Sequence, residues 1–230
     1  MTKLFKILGL LVLVLFLSFT FLGVSVHESL PQGQPGLRAE RLADSLLSAV
    51  GYDGYQNLET IRWSYPPGHH YVWDKQQDSV QVSWDEFTVM LSTESIRGYA
   101  YRGERPLSGE QLDKVLWKAW EYFANDSFWL VAPFKVRDPG TSRSYVETDR
   151  GHGLLVTYSS GGVTPGDSYL WVLDKHTYRP VAWQMWVSII PVGGVEFSWE
   201  NWQQYGEVWF ADHHLGPLGF TLQVEDLTVD

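Results

Sequence analysis

The sequence predicts a mainly β (α+β) fold, a curled antiparallel half-barrel of about ten strands covered by two helices and preceded by an N-terminal transmembrane helix. Apolar and polar residues alternate over most of the chain after residue 57, and Gly and Pro separate these runs evenly. Two other segments have apolar residues at helical spacing. A sheet of so many strands must curl, and each amphipathic helix has a face to bury against it.

The first 26 residues form an apolar segment that is long enough to enter a membrane. Lys3 and Lys6 precede residues 7–26, a run of twenty residues without a charge. At about 1.5 Å per residue, a helix of that length spans about 30 Å, the thickness of a bilayer's hydrocarbon core. We therefore expect an uncleaved anchor with its N-terminus in the cytoplasm and the rest of the chain translocated.

A cleaved signal peptide is the alternative interpretation of this segment. Signal peptides have an apolar region of about 7–15 residues and a small-x-small cleavage site. The run here is longer, and its best site, Gly23-Val24-Ser25, is mediocre. The chain is accordingly divided into a signal anchor or signal peptide (1–26), a linker rich in Pro and Gly (27–38) and a β domain (39–230).

Charge and composition exclude several classes of function. Without Lys3 and Lys6, the exported part has 15 basic and 27 acidic residues, which argues against nucleic-acid binding and against adhesion to anionic lipids. The absence of cysteine excludes disulfides, thiolate chemistry and Cys-ligated metals. The 12 Trp, 12 Tyr and 11 Phe suit strands and the walls of apolar cavities, although they also suit ordinary core packing.

Two segments show the spacing of amphipathic helices. The first spans residues 39–50, and Gly51 marks its end. The second follows Ser108, a good N-cap that Gln111 completes as a capping box, and runs to residue 124. We expect Asn125-Asp126 to end it. Its apolar stripe consists of Leu112, Val115, Leu116, Ala119, Trp120 and Phe123.

The remaining segments are predicted as short strands separated by Gly, Pro and Asp turns. Residues 127–136 belong to this strand-rich half as an apolar run that Pro133 interrupts. In the first half the predicted strands are 58–63, 69–74, 80–84, 87–91 and 96–101. In the second half they are 144–147, 154–159, 168–174, 181–188, 195–205, 207–211 and 220–228.

Residues 125–140 resemble a segment of uncharacterised Gram-negative envelope proteins. The resemblance lies in Asn125-Asp126, in Phe128-Trp129-Leu130, in Pro133-Phe134-Lys135 and in Asp138-Pro139-Gly140, and Asp167-Ser168-Tyr169 with Trp183 resembles the strands that follow. Those proteins are similar to the lipoprotein-carrier-like (LolA/LolB-like) half-barrel superfamily. The resemblance covers residues 39–228.

The resemblance implies an incomplete barrel whose concave side is closed by helices and holds acyl chains. It also implies a location in the cell envelope, with the C-terminal domain in the periplasm. The domain would be anchored in the inner membrane, or released into the periplasm if the segment is cleaved. A tethered N-terminus departs from a freely diffusing carrier, so lipoprotein shuttling does not carry over.

The sequence thus predicts a non-catalytic module that binds an apolar ligand, such as an acyl chain or lipid, in an aromatic-lined half-barrel. Strand alternation selects four residues for the cavity wall, and the resembling segment supplies two at its mouth and two cations for a headgroup. These candidates are, in that order, Trp183, Met185, Phe197 and Trp199; Trp129 and Phe134; Lys135 and Arg137.

Two other classes of function stay open. One is an envelope structural or interaction module whose half-barrel is filled by its own side chains. The other is a carbohydrate-active hydrolase, which needs two carboxylates in an aromatic cleft. No cofactor or metal is predicted, because neighbouring histidines in His69-His70 or His213-His214 would point to opposite faces of a strand. The sequence does not specify protein partners.

Overall fold

A computed structural model describes residues 27–160 and 164–230, which form three helices and fifteen strands. The predicted membrane segment, residues 7–26, lies outside the described residues. Within the described ranges, no helix has both the length and the apolar character needed to cross a bilayer. The helices are α1 (Leu37–Val50), α2 (Tyr52–Asn57) and α3 (Gly109–Val131), and short 3₁₀ turns follow at Ala132–Lys135 and Pro217–Gly219.

The strands form antiparallel ladders of seven, five and three members. The strands are β1 (Thr60–Tyr65), β2 (His69–Asp74), β3 (Ser79–Trp84), β4 (Phe87–Ser92), β5 (Gly98–Arg102), β6 (Arg105–Pro106), β7 (Thr141–Glu147), β8 (His152–Tyr158), β9 (Ser168–Leu173), β10 (Pro180–Trp186), β11 (Val195–Ser198), β12 (Glu200–Tyr205), β13 (Val208–Leu215), β14 (Thr221–Gln223) and β15 (Glu225–Val229). The ladders have the orders β15-β1-β2-β3-β4-β5-β6, β11-β10-β9-β8-β7 and β12-β13-β14.

Two continuous joints connect these ladders. β11 continues into β12 through Trp199, whose N–H donates to the carbonyl of Val181 at 2.9 Å. β14 continues into β15 through Val224, whose N–H donates to the carbonyl of Asp212 at 2.8 Å. The strands therefore follow one another in a single curled order from β7 to β6, and these two edge strands do not pair with each other. The predicted mainly β, curled and open architecture is confirmed.

Helix α3 is the main cover of the curled sheet. Its predicted stripe faces inward, since Leu116, Ala119 and Phe123 are buried. The ring of Phe123 packs 5.2 Å from that of Trp73 on β2. One turn beyond, the ring of Phe128 packs 5.7 Å from that of Trp183 on β10. The helix therefore bridges the seven-stranded and five-stranded ladders.

The second helix is longer than predicted. Instead of ending at Asn125-Asp126, α3 continues to Val131, so residues 127–131 are helical and not extended. Asp126 does not break the helix because its carboxylate is buried and hydrogen-bonded to His69 and Tyr71. The helix gives way to a 3₁₀ turn at Pro133. Ser108 is the N-cap, but its side chain makes no capping hydrogen bond, so the predicted capping box is not formed.

The other differences are local. Helix α1 begins two residues earlier than predicted and ends at Gly51, whose φ of 78° suits glycine. The short helix α2 was not predicted. Residues 195–205 and 220–228 each divide into two strands, which accounts for part of the excess over about ten. Val181 has the same parity as Trp183 but is 41% exposed, because the register shifts between Pro180 and Ala182.

The segment predicted as a linker is hydrogen-bonded to the domain. Gln34 and Tyr145 of β7 exchange backbone N–H···O hydrogen bonds of 2.8 Å in both directions. Further upstream, the N–H of Glu28 donates to the carbonyl of Gly193 at 2.9 Å. Residues 27–36 thus run across the domain surface, from the loop before β11 to the outer edge of β7.

Candidate functional site

A pocket of about 640 Å³ lies between α3 and one end of β8–β10. Its helix wall consists of residues spaced three and four apart, which places them on one face of α3. Its sheet wall consists of inward-facing residues of neighbouring strands. The helix wall is Trp120, Phe123, Ala124, Ser127 and Phe128; the sheet wall is Tyr158, Tyr169, Trp183 and Met185.

Trp183 is the centre of the aromatic wall. Its ring centroid lies 5.0 Å from that of Trp129 and 4.9 Å from that of Tyr169. Behind it, the ring of Trp199 packs edge-on at 5.1 Å. The side chain of Trp183 is 1% exposed. Since the rings fix one another, this wall is a preformed apolar surface that does not have to reorganise around a ligand.

Polar and charged residues also line the pocket. The ammonium of Lys135 contacts the carboxylate of Asp138 at 3.0 Å. Asp167 is buried, and one of its oxygens accepts from the backbone N–H of Ser188 at 2.9 Å. Its other oxygen accepts from the hydroxyl of Thr164 at 2.5 Å. Asp167 thereby fastens the loop after β10 to the loop before β9.

The charge states in and near the pocket follow from burial. Lys75 lies outside the pocket, where burial together with the nearby charge of Lys135 lowers its pKa to about 8. Burial also raises the pKa of Tyr158 and of Tyr169 above the usual tyrosine range. Both phenols therefore stay neutral at physiological pH, and the fixed positive charge at the pocket is that of Lys135.

The structure brings four of the eight predicted site residues to the pocket. Trp129 and Lys135 line it from α3 and from the 3₁₀ turn, and Trp183 and Met185 line it from β10. Phe197 and Trp199 do not line it. They form a second layer, with Phe197 packed edge-on against Trp129 at 4.8 Å.

Phe134 and Arg137, predicted at the mouth, lie elsewhere. The ring of Phe134 is stacked on that of Tyr55 at 4.1 Å in the core. The guanidinium of Arg137 binds the carboxylate of Glu40 on α1 at 2.7 Å. The prediction treated residues 127–136 as an extended run, but the 3₁₀ turn directs Lys135 toward the pocket and Phe134 toward α2.

Several lining residues were not identified from the sequence. Phe128 shares the helical phase of Phe123 and Ala124, so a helix continued past Asp126 would have revealed it. Tyr158 and Tyr169 alternate inward on β8 and β9 like Trp183 on β10. Asp167 belongs to the resembling segment, but its role was not identified because it depends on the contact between two separate loops.

Adjacent histidines point to opposite sides of their strands, as the geometry of a strand requires. On β2, His69 lies against Asp126 with Nδ1 at 2.6 Å from the carboxylate, whereas His70 lies 2.9 Å from the Ser64 hydroxyl. On β13, His214 is fully buried, and its Nδ1 lies 3.0 Å from the carbonyl of Ser198. Burial lowers the pKa of His214 to about 4, against the opposing effect of that hydrogen bond.

Two solved structures are similar to this chain over most of its length. One is a putative outer membrane lipoprotein-sorting protein domain from Vibrio parahaemolyticus, with 12% identity, a TM-score of 0.43, and coverage of 84% of this chain and 93% of the other. The second is a DUF1329 family protein from Desulfovibrio piger, with 10% identity, a TM-score of 0.43, and coverage of 86% and 94%.

The resemblance stated from the sequence and the first of these structures name the same group of proteins. At these identities and TM-scores the similarity carries no activity or ligand over to this chain. No protein-family model and no curated protein matches the sequence.

Proposed function

We propose that this protein is a non-catalytic module that binds an acyl chain or a similar apolar ligand between α3 and β8–β10. The observation that supports this most strongly is the pocket of about 640 Å³ with its aromatic wall. Ligand pockets typically measure about 300–1,000 Å³ and are mostly apolar with a few polar groups. A half-barrel filled by its own side chains would have no such space.

The distribution of polarity suggests how the ligand lies. Trp183, Met185 and Phe128 offer the apolar wall, and Lys135 offers the cation at the rim. Lys135 is about one-third exposed and forms an ion pair with Asp138. Because such exposed pairs contribute little free energy, Lys135 can exchange Asp138 for an anionic headgroup. The chain would pack on the wall and the headgroup would stay near Lys135.

An environment-sensitive fatty-acid probe tests the binding with residues 27–230. Ala124→Phe places a ring in the pocket without removing any core atom, so the proposal expects it to abolish probe binding. Lys114→Phe is the matched control, because Lys114 is on the same helix, is 74% exposed and does not line the pocket. Equal binding by both variants, or no binding by the unsubstituted protein, would favour the interaction-module alternative.

The membrane tether is the second part of the proposal. The charge-free run of residues 7–26 after Lys3 and Lys6 supports an inner-membrane anchor with the domain in the periplasm. An alkaline phosphatase fused to the C-terminus should then be active, and the chain should resist carbonate extraction. An inactive fusion would contradict the orientation, and an active fusion on an extractable chain would indicate cleavage and release.

One observation keeps the hydrolase alternative in view, because Asp138 and Asp167 both line the aromatic pocket. Each carboxylate already has structural partners. Asp138 pairs with Lys135, and both oxygens of Asp167 accept hydrogen bonds from neighbouring loops. We therefore infer that they hold the rim together and do not catalyse hydrolysis. Glycan cleavage that Asp138→Asn and Asp167→Asn each abolish in a folded protein would overturn this inference.

A further inference from the structure

Two loops expose apolar side chains, and one of them borders the pocket. The first loop, residues 187–194, joins β10 to β11, and its Ile189 is 69% exposed. The second loop, residues 215–220, joins β13 to β14. Its Leu218 is fully exposed and its Phe220 is 58% exposed. Neither loop contains a charged residue. Exposed apolar surface without charged residues indicates a site of interaction with another apolar surface. On a domain with net negative charge, such an interaction does not depend on electrostatic attraction.

Both loops border β11: the first joins its start at Val195, and the second runs from Ser198 back past Phe197. The first loop follows the end of β10, where Met185 pairs with Val195. The second loop follows Leu215, whose N–H donates to the Ser198 hydroxyl at 2.8 Å. Gly216 then passes so close to the ring of Phe197 that a β-carbon there would collide with it.

The first loop is also part of the pocket. Val187, Ile189 and Ile190 line it together with Trp183 and Met185 of the preceding strand. The exposed apolar surface and the rim of the pocket are thus continuous. Ile189 both lines the pocket and is exposed to solvent, so it lies at this rim.

The N-terminal end of the described chain is fastened to this same loop. The N–H of Gly193 donates to Nδ1 of His27 at 3.0 Å, and the N–H of Glu28 donates to the carbonyl of Gly193 at 2.9 Å. The indole N–H of Trp186 also donates to the carbonyl of Glu28 at 2.7 Å. The predicted membrane segment ends at residue 26, immediately before His27.

We propose that these two loops dock into the surface of the bilayer that residues 7–26 enter, so that the pocket rim opens onto the lipid. This inference rests on the proposed tether and pocket. With the chain held at His27, the loop around Ile189 cannot lie far from the membrane. Exposed Ile, Leu and Phe side chains gain free energy by entering the headgroup region. An apolar ligand could then pass between bilayer and pocket without crossing water.

Single-cysteine labelling tests this proposal directly, because the natural chain contains no cysteine. Ile189→Cys and Leu218→Cys would each carry a polarity-sensitive fluorophore in the full chain reconstituted into phosphatidylcholine vesicles. Val181→Cys is the matched control. Val181 is apolar and 41% exposed, and it lies at the opposite end of β10, about 20 Å away along the strand.

The expected result is that the labels at 189 and 218 emit at shorter wavelength, are quenched by doxyl lipids and lose quenching by aqueous iodide. The label at 181 should remain fully quenched by iodide. If all three labels respond to iodide alike while the chain resists carbonate extraction, docking is overturned and the tether stands. An extractable chain contradicts the tether, whereas normal fatty-acid binding with iodide-quenched labels contradicts docking without affecting the pocket.

Discussion

The carboxylate of Asp126 lies 2.6 Å from Nδ1 of His69, which joins helix α3 to strand β2. The hydroxyl of Tyr71 donates to the same carboxylate oxygen at 2.5 Å, and the amide of Asn125 donates to the other oxygen at 2.8 Å. Asp126 is only 2% exposed, so these partners replace the water that it has lost. This network fixes the cover helix on the curled sheet close to where the pocket begins.

Removing one partner should therefore destabilise the domain. Tyr71→Phe deletes a hydrogen bond to a buried carboxylate and should lower the free energy of unfolding by about 1–3 kcal/mol. Tyr99→Phe, which deletes a hydroxyl from a 56% exposed side chain, is the control and should change little. Urea unfolding of residues 27–230 measures both. Equal midpoints for the two variants would show that the network contributes no stability.

The burial of the α3 stripe leads to a second prediction. Leu116 is 6% exposed, and Leu116→Ala should cost about 2–5 kcal/mol, as truncation of buried leucines does. Lys114→Ala, two residues away on the exposed face, should stay within about 0.5 kcal/mol. Chemical denaturation of both variants provides the comparison. A small effect of Leu116→Ala would mean that α3 is not a packed cover.

Acid should weaken the fold through His214. Burial holds its pKa at about 4 in the folded state, below the value of about 6.5 for an unfolded chain. Its contribution to stability is therefore complete above pH 6.5 and is lost as the pH falls through 4, because only the unfolded state takes up the proton in this window. The loss is on the order of 3 kcal/mol.

His214→Asn should flatten the pH dependence of the unfolding free energy between pH 6.5 and 4. The comparison with the unsubstituted protein uses slopes and not absolute stabilities, so a general destabilisation by His214→Asn does not affect it. An unchanged slope in His214→Asn would show that other groups cause the acid sensitivity.

The rim cation should distinguish ligands by charge. Lys135→Gln should weaken the binding of an anionic fatty acid about two- to fivefold, the scale of a partly exposed ion pair, and leave a fatty alcohol of equal length unaffected. Arg137→Gln should alter neither, because Arg137 binds Glu40 and does not line the pocket. Competition with a fluorescent probe measures all four affinities. Equal losses for acid and alcohol would exclude a headgroup role for Lys135.

Local patterns in the sequence predicted the sheet and part of the site. The alternation of Trp183 and Met185 with Gln184 places the first two inside, because a strand has a period of two residues. Asp126 was misinterpreted because a helix-ending aspartate and a buried aspartate look alike until a distant His69 and Tyr71 are known. Such partners come from the fold and not from neighbouring positions.

The same limit applies to the second half of the site. Phe134 and Arg137 were assigned to the pocket from the sequence. The chain at and after the 3₁₀ turn instead directs Phe134 toward α2 and Arg137 toward α1. The joint at Trp199 lies inside one predicted strand, residues 195–205, although Asn201 and Trp202 reverse the alternation that Phe197 and Trp199 set. The inward-facing strand residues were predictable because they follow the two-residue period of a strand. The positions of Asp126, Phe134 and Arg137 were not, because they depend on contacts between distant segments.

The pairing of Gln34 with Tyr145 has a practical consequence for producing the protein. β7 is the edge of its ladder, and unpaired edge strands add strands from other molecules and so promote aggregation. Gln34 covers that edge at Tyr145 in the natural chain. A recombinant domain that starts at residue 37 would expose it and should self-associate, whereas one that starts at residue 27 should remain monomeric at the same concentration.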